Sequence, residues 1–166
     1  MSWVWRKLAF QFLKLLIWLE FPGVQHITTK KLARWLESPQ PQPLLLDARS
    51  VEEYAVSHLQ SAQRIDPVAP DLAAFVSVPL EMPIVVYCSV GYRSAKIAQQ
   101  LQGMGRKNVF NLEGSIFQWV NEGRPVFNGD GLTGEVHPYD ERWGGLLRRG
   151  ETRRNAELLA RRSAEG

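Results

Sequence analysis

A single cysteine, Cys88, occurs in 166 residues. That excludes an internal disulfide framework and any metal site built from several thiolates, and it fits a reducing compartment, the cytoplasm. Histidine is nearly as scarce. His26, His58 and His137 stand far apart along the chain, so no ligand cluster is expected and no metal or other cofactor is implied. Charge of one sign is lacking too: 20 Lys and Arg against 17 Asp and Glu leave a formal +3. The basicity is local, gathered in Arg148, Arg149, Arg153, Arg154, Arg161 and Arg162. Glu151, Glu157 and Glu165 interleave those arginines, the pattern of a solubilising helix face, so nucleic acid is not an expected partner. There is no internal repeat. There is also no clean apolar run of membrane-spanning length, because Lys14 interrupts the one candidate. No small-x-small cleavage site follows Arg6 and Lys7 to make that segment a signal peptide.

What the chain does have is an ordinary apolar fraction, 45%, enough for one α/β domain with extensions. Residues 1–23 read as an apolar amphipathic helix ended by Pro22-Gly23. Lys7, Gln11 and Lys14 fall on one narrow stripe, and the rest of its surface is apolar. Two placements stay open. Residues 1–21 lie in a membrane interface, making the protein peripheral there, or they dock on the protein's own body or on a second copy.

From residue 24 to residue 126, short apolar strand patterns alternate with helical ones. Strands are expected at 24–27, 44–47, 62–65, 84–87 and 108–112, and helices after Thr28 or Thr29, after Ser50, and over 70–78, 94–104 and 116–122. Ser50 and Glu53 have capping-box spacing. This order argues for a central parallel sheet of about five strands with helices on both faces. Residues 127–166 read as a Gly/Arg-rich C-terminal extension with a terminal helix over 156–162.

In such a sheet the working crevice lies at the carboxyl ends of the strands. Asp47 and Cys88 both sit there. The β-prone run Ile84-Val85-Val86-Tyr87 stops at Cys88, and a short loop with one glycine leads through Arg93 and Ser94 into a helical pattern. Loop N–H groups and the helix N-terminus can converge on the sulfur and favour its thiolate, the nucleophilic form.

The run Cys88-Ser89-Val90-Gly91-Tyr92-Arg93-Ser94 resembles the active-site loop of single-domain rhodaneses. Further landmarks follow in order: Leu45-Leu46-Asp47-Ala48-Arg49, Glu52-Glu53-Tyr54 with His58-Leu59, Glu113-Gly114-Ser115 with Trp119, and Gly123-Arg124-Pro125-Val126. The likeness runs from about Val24 to Val126, and Ser57, Ser61 and Ser115 stand where glycines are common. The resemblance implies a rhodanese-like α/β fold and a sulfurtransferase. Cys88 would take sulfane sulfur from a small donor such as thiosulfate or a persulfide, and pass it to an external thiol, a protein acceptor or cyanide. Ser89 to Ser94 would form the loop around the persulfide. Arg93 would fix an anionic donor or support the loop, and Tyr92 would line the entrance or merely cover surface. Asp47 and Arg49 are supporting residues, with Arg49 paired to an acid such as Glu53. His58 is a framework residue. Four residues between Cys88 and Arg93 close a smaller loop than the five of cysteine phosphatases, which disfavours phosphate chemistry. A rhodanese module serving binding or membrane targeting without catalysis is the alternative. No motif fixes an oligomeric state.

Overall fold

A computed structural model describes residues 3–148, together with Glu157, Arg161 and Ala164. Five strands, β1 (Gln25–Ile27), β2 (Leu44–Asp47), β3 (Gln63–Arg64), β4 (Ile84–Tyr87) and β5 (Val109–Leu112), form one parallel sheet of order β1-β5-β4-β2-β3. β4 is central, and all four of its residues are fully buried, as a strand covered on both faces must be. Side chains alternate between the faces. Leu45, Val85 and Tyr87 face one core with Leu32, Ile116 and Phe117; Leu46, Val86 and Cys88 face the other with Ala95, Ala98 and Leu101.

The covering helices are α2 (Thr29–Leu36), α3 (Val51–Val56), α4 (Tyr92–Gly103) and α5 (Ser115–Asn121). Their starts follow local chemistry. Thr28 accepts the Lys31 N–H to cap α2. Ser50 and Glu53 form the expected capping box, each accepting the other's backbone N–H.

Two expected elements come out differently. Over 70–78 there is only a 3-10 turn, Leu72–Phe75. The Arg106 guanidinium, otherwise buried, holds the carbonyls of Phe75, Val78 and Pro79, and the chain wraps around that cation instead of coiling. The strand expected over 62–65 shortens to β3, an edge pairing only with β2.

The first helix, α1 (Trp3–Glu20), docks on the protein's own body. Phe10 enters one core and Ile17 the other, and Lys14 pairs with Glu113 at 3.5 Å. Beyond the sheet, β6 (Val126–Asn128) and β7 (Gly131–Thr133) make an antiparallel hairpin absent from the sequence reading. Its Phe127 exchanges both backbone hydrogen bonds with His58. After α6 (Glu141–Gly144), Leu146 and Leu147 are buried in the core that holds Phe10. The Asn121 amide clamps that segment, donating to the Leu146 carbonyl and accepting the Arg148 N–H. The helix expected over 156–162 lies outside the described residues, apart from Glu157 and Arg161.

Candidate active site

Cys88 follows β4 directly and is 1% exposed. Its own backbone is pinned from α5: its N–H donates to Ser115 Oγ at 3.1 Å, and its carbonyl accepts the Ile116 N–H. The loop then turns back over the sulfur. Gly91 caps α4 with φ +113°, a conformation that suits glycine, and a Cβ there would lie 3.4 Å from Ile17 Cδ1. This geometry brings the Gly91 N–H to 3.1 Å from Cys88 Sγ.

Ser94 Oγ lies 3.4 Å from the same sulfur and 2.6 Å from Asn111 Oδ1. Its single proton serves one acceptor at a time. The Asn111 amide is oriented by donating to the Gly91 carbonyl at 3.0 Å. Gly91 is therefore the donor that needs no rearrangement when the thiol ionises, and Ser94 is the one that turns.

The charge beside the sulfur is Arg93. Its fork grips both Glu53 oxygens at 2.8 Å and donates to Ser89 Oγ at 3.0 Å. Ser89 Oγ in turn donates to Glu53. The open face of the guanidinium lies 4.6 Å from the Tyr139 ring centroid. Burial pushes the Cys88 thiol up, but the Arg93 charge, the Ser94 hydroxyl and the N–H groups of Ser94 and Gly91 outweigh it, so the thiol sits below its ordinary value. Burial likewise acts to raise Glu53, yet its bonds from Arg93, Ser50 and Ser89 bring it down to about 2.

The arrangement corrects one expected pairing. Arg49 does not reach Glu53. It makes a two-pronged pair with Asp47, Nε to Oδ1 at 2.8 Å and Nη2 to Oδ2 at 2.7 Å, and donates to the Ser57 carbonyl. The capping box turns Glu53 toward the active loop, which leaves Asp47, two residues before Arg49, as the acid in reach. Both Asp47 and Arg49 are fully buried, and they brace the strand end without touching the sulfur. His58 is held in the framework, stacked on Tyr54 with centroids 4.0 Å apart. Val90 is buried in the loop. Tyr92 is half exposed and donates to Glu20 of α1 at 2.5 Å.

Three residues of the site escaped the sequence reading. Asn111, a buried polar residue in the apolar run of β5, carries a visible signal: a polar side chain at a core position needs a partner. In the sequence, Ser115 stands out only as a serine where a glycine is common. Its φ of +48° is indeed glycine-like, and its hydroxyl donates to the Leu112 carbonyl while accepting the Cys88 N–H. Tyr139 lies outside every motif, and only the fold brings it near.

Fold and site together define an α/β protein of the parallel-sheet kind, with a buried cysteine in a loop that opens a helix at the strand ends. The chain belongs to the rhodanese-like domain family, which it matches over residues 28–122. It is similar to the tRNA uridine(34) hydroxylase of Sodalis glossinidius, 32% identical over 109 residues, 63% of this chain and 31% of that protein. It is also similar to the probable adenylyltransferase/sulfurtransferase MoeZ of Mycobacterium tuberculosis, 28% identical over 60% of this chain and 25% of that protein. The chain thus spans less than a third of the length of these curated relatives. Among solved structures, a rhodanese-like domain protein from Staphylococcus aureus aligns with TM-score 0.52 and 25% identity over 69% of this chain and 99% of that one. Thiosulfate sulfurtransferase from Pseudomonas aeruginosa aligns with TM-score 0.57 over 90% of this chain and 26% of that one, a likeness of fold alone at 18% identity.

Proposed function

We propose that this chain is a sulfurtransferase working through a persulfide on Cys88. The observation that carries the reading is the setting of the thiol: buried at the end of β4, hydrogen-bonded by the Gly91 N–H, with Ser94 Oγ at 3.4 Å, in a loop whose Arg93 guanidinium favours the thiolate. With thiosulfate, the Cys88 thiolate attacks the sulfane sulfur. The sulfur–sulfur bond of the donor breaks, sulfite leaves with the electron pair, and Cys88 keeps one added sulfur as a persulfide. A thiolate or cyanide then attacks the outer sulfur, and Cys88 departs as thiolate. These are two half-reactions with a covalent intermediate, and they give ping-pong kinetics. Gly91 and Ser94 stabilise the sulfur anion, Arg93 supplies the charge, and Ser89 and Glu53 hold Arg93 in place. No second cysteine is present to resolve the persulfide, so the acceptor comes from outside the chain.

Intact-protein mass spectrometry after incubation with thiosulfate tests the reading. Wild type should gain one sulfur atom that cyanide removes, and Cys88→Ser should gain none. Absence of any gain, with thiosulfate and with an alkyl persulfide donor, would leave the domain as a binding module.

A further inference from the structure

The cavity above Cys88, about 520 Å³ in volume, is walled from outside the family segment of residues 28–122. One wall is α1, with Leu13, Leu16, Ile17 and Leu19; Tyr139 and Trp143 belong to the other. Most of its polar groups are engaged, and Arg93 keeps two of its five N–H donors spare. Tyr92 and Glu20 bond each other, while Arg93 and Ser89 are engaged with Glu53. A small, strongly hydrated anion entering this space gives up water to mostly apolar walls and regains little beyond the spare Arg93 donors. An apolar body of several carbons loses nothing and gains the walls.

Resting on the persulfide reading, we propose that the sulfur partner of this site is a thiol and its persulfide carried on an apolar alkyl or aryl body. The thiolate R–S⁻ attacks the outer sulfur of the Cys88 persulfide. The Cys88 sulfur–sulfur bond breaks as the R–S–S bond forms, and Cys88 leaves as thiolate, with no net oxidation. The same step run backward loads Cys88 from the apolar persulfide.

A homologous series isolates the effect, because n-alkanethiols share one thiol acidity and differ only in length. The full chain is loaded with thiosulfate, or with an alkyl persulfide where thiosulfate does not load it, freed of excess donor, and discharged with ethane-, butane- and hexanethiol. The discharge rate constant should rise with each methylene, by up to about fourfold per group when fully buried. Leu16→Gln, on the half-exposed rim of the wall, should lower the hexanethiol-to-ethanethiol ratio severalfold. A flat or falling series on a persulfide that cyanide still discharges overturns this inference alone. Failure to form any persulfide overturns the sulfurtransferase reading with it.

The outer side of α1 carries a second, independent inference. Opposite Phe10 and Ile17, the residues Val4, Leu8, Phe12 and Leu15 recur at helical spacing, each between 54% and 60% exposed. Trp3 and Trp18 flank them, also more than half exposed. Arg6 and Lys7 sit near the start of α1, Lys14 is paired with Glu113, and no acidic residue precedes Glu20. No helix among the described residues is long and apolar enough to cross a membrane. We infer that α1 lies in the interface of an anionic bilayer with this stripe inserted: tryptophans suit that depth, and cations suit its headgroups.

Co-sedimentation of the full chain with vesicles tests this. Retention should be strong on phosphatidylglycerol mixed with phosphatidylcholine, weaker on phosphatidylcholine alone, and lost in Leu8→Glu/Leu15→Glu. Absence of retention overturns the inference, as does a dimer by light scattering that the same substitutions dissolve.

Discussion

At the scale of single residues, the cysteine depends on groups that do no chemistry themselves. Ser115 is the clearest. Its left-handed backbone would suit glycine, yet its hydroxyl bridges the Cys88 N–H and the Leu112 carbonyl inside the core. Ser115→Ala keeps the strain and leaves the buried N–H without its acceptor. It should cost about 1–3 kcal/mol in urea unfolding. Ser115→Gly loses the same bridge but relieves the strain, so it should cost less by roughly 1 kcal/mol. Equal losses would mean that the positive φ carries no strain.

The Glu53–Arg93 pair makes a prediction with a sign. Glu53 titrates at about 2 in the fold against an ordinary 4.5. Because the folded value is depressed, the unfolded chain takes the proton first. The stabilisation is complete above about pH 4.5 and is lost as pH falls toward 2, amounting to about 3 kcal/mol at most. Urea midpoints should drop through that window in wild type, and this part of the slope should vanish in Glu53→Gln. The double substitution Glu53→Gln/Arg93→Met removes the pair without leaving a lone buried charge. It also removes the cation that lowers the thiol, so alkylation of Cys88 at neutral pH should slow by about tenfold. An unchanged rate would move the cause of the lowered thiol to Gly91 and Ser94 alone.

At the scale of elements, legibility follows the range of the determining forces. β2, β4 and β5 are apolar runs with no competing periodicity, and Ser50 with Glu53 spells a cap within four residues. Such elements are written locally, and so is the loop from Cys88 to Ser94. The 3-10 turn over Leu72–Phe75 is not, because its shape is set by a guanidinium about 30 residues later. The partner of Arg49 was likewise hidden: two acids were in range, and only the capping geometry of Glu53 decides between them. The hairpin of β6 and β7 is anchored through Phe127 to His58, a pairing with no sequence signal at either end. Arg106 makes the long-range dependence measurable. Arg106→Lys replaces a planar fork by a point charge that cannot span the carbonyls of Phe75, Val78 and Pro79. It should cost about 2 kcal/mol and open the 70–82 segment to proteolysis first. A thermal midpoint equal to wild type would show that the turn holds its shape without the cation.

At the scale of the whole molecule, the family core supplies Cys88 and its loop, and the flanking segments supply its surroundings. α1 and the 139–147 stretch meet in one core through Phe10, Leu146 and Leu147, and they wall the same cavity through Leu13, Leu16 and Trp143. Packing and access to Cys88 are therefore one property. Deleting residues 2–20 removes Phe10 from one core and Ile17 from the other. At about 1.5–3 kcal/mol for each buried side chain, the loss should be about 3–6 kcal/mol, visible as a lowered urea midpoint. The same deletion strips one wall from the cavity, so the thiol should become relatively more open to a bulky, anionic aryl disulfide than to iodoacetamide. The ratio of the two labelling rates separates access from acidity, since both reagents require the same thiolate. A ratio that rises severalfold on deletion fits α1 as the wall that selects what reaches the sulfur. A ratio that stays constant while stability falls would reduce α1 to a packing element and return selection to the loop of Ser89 to Ser94.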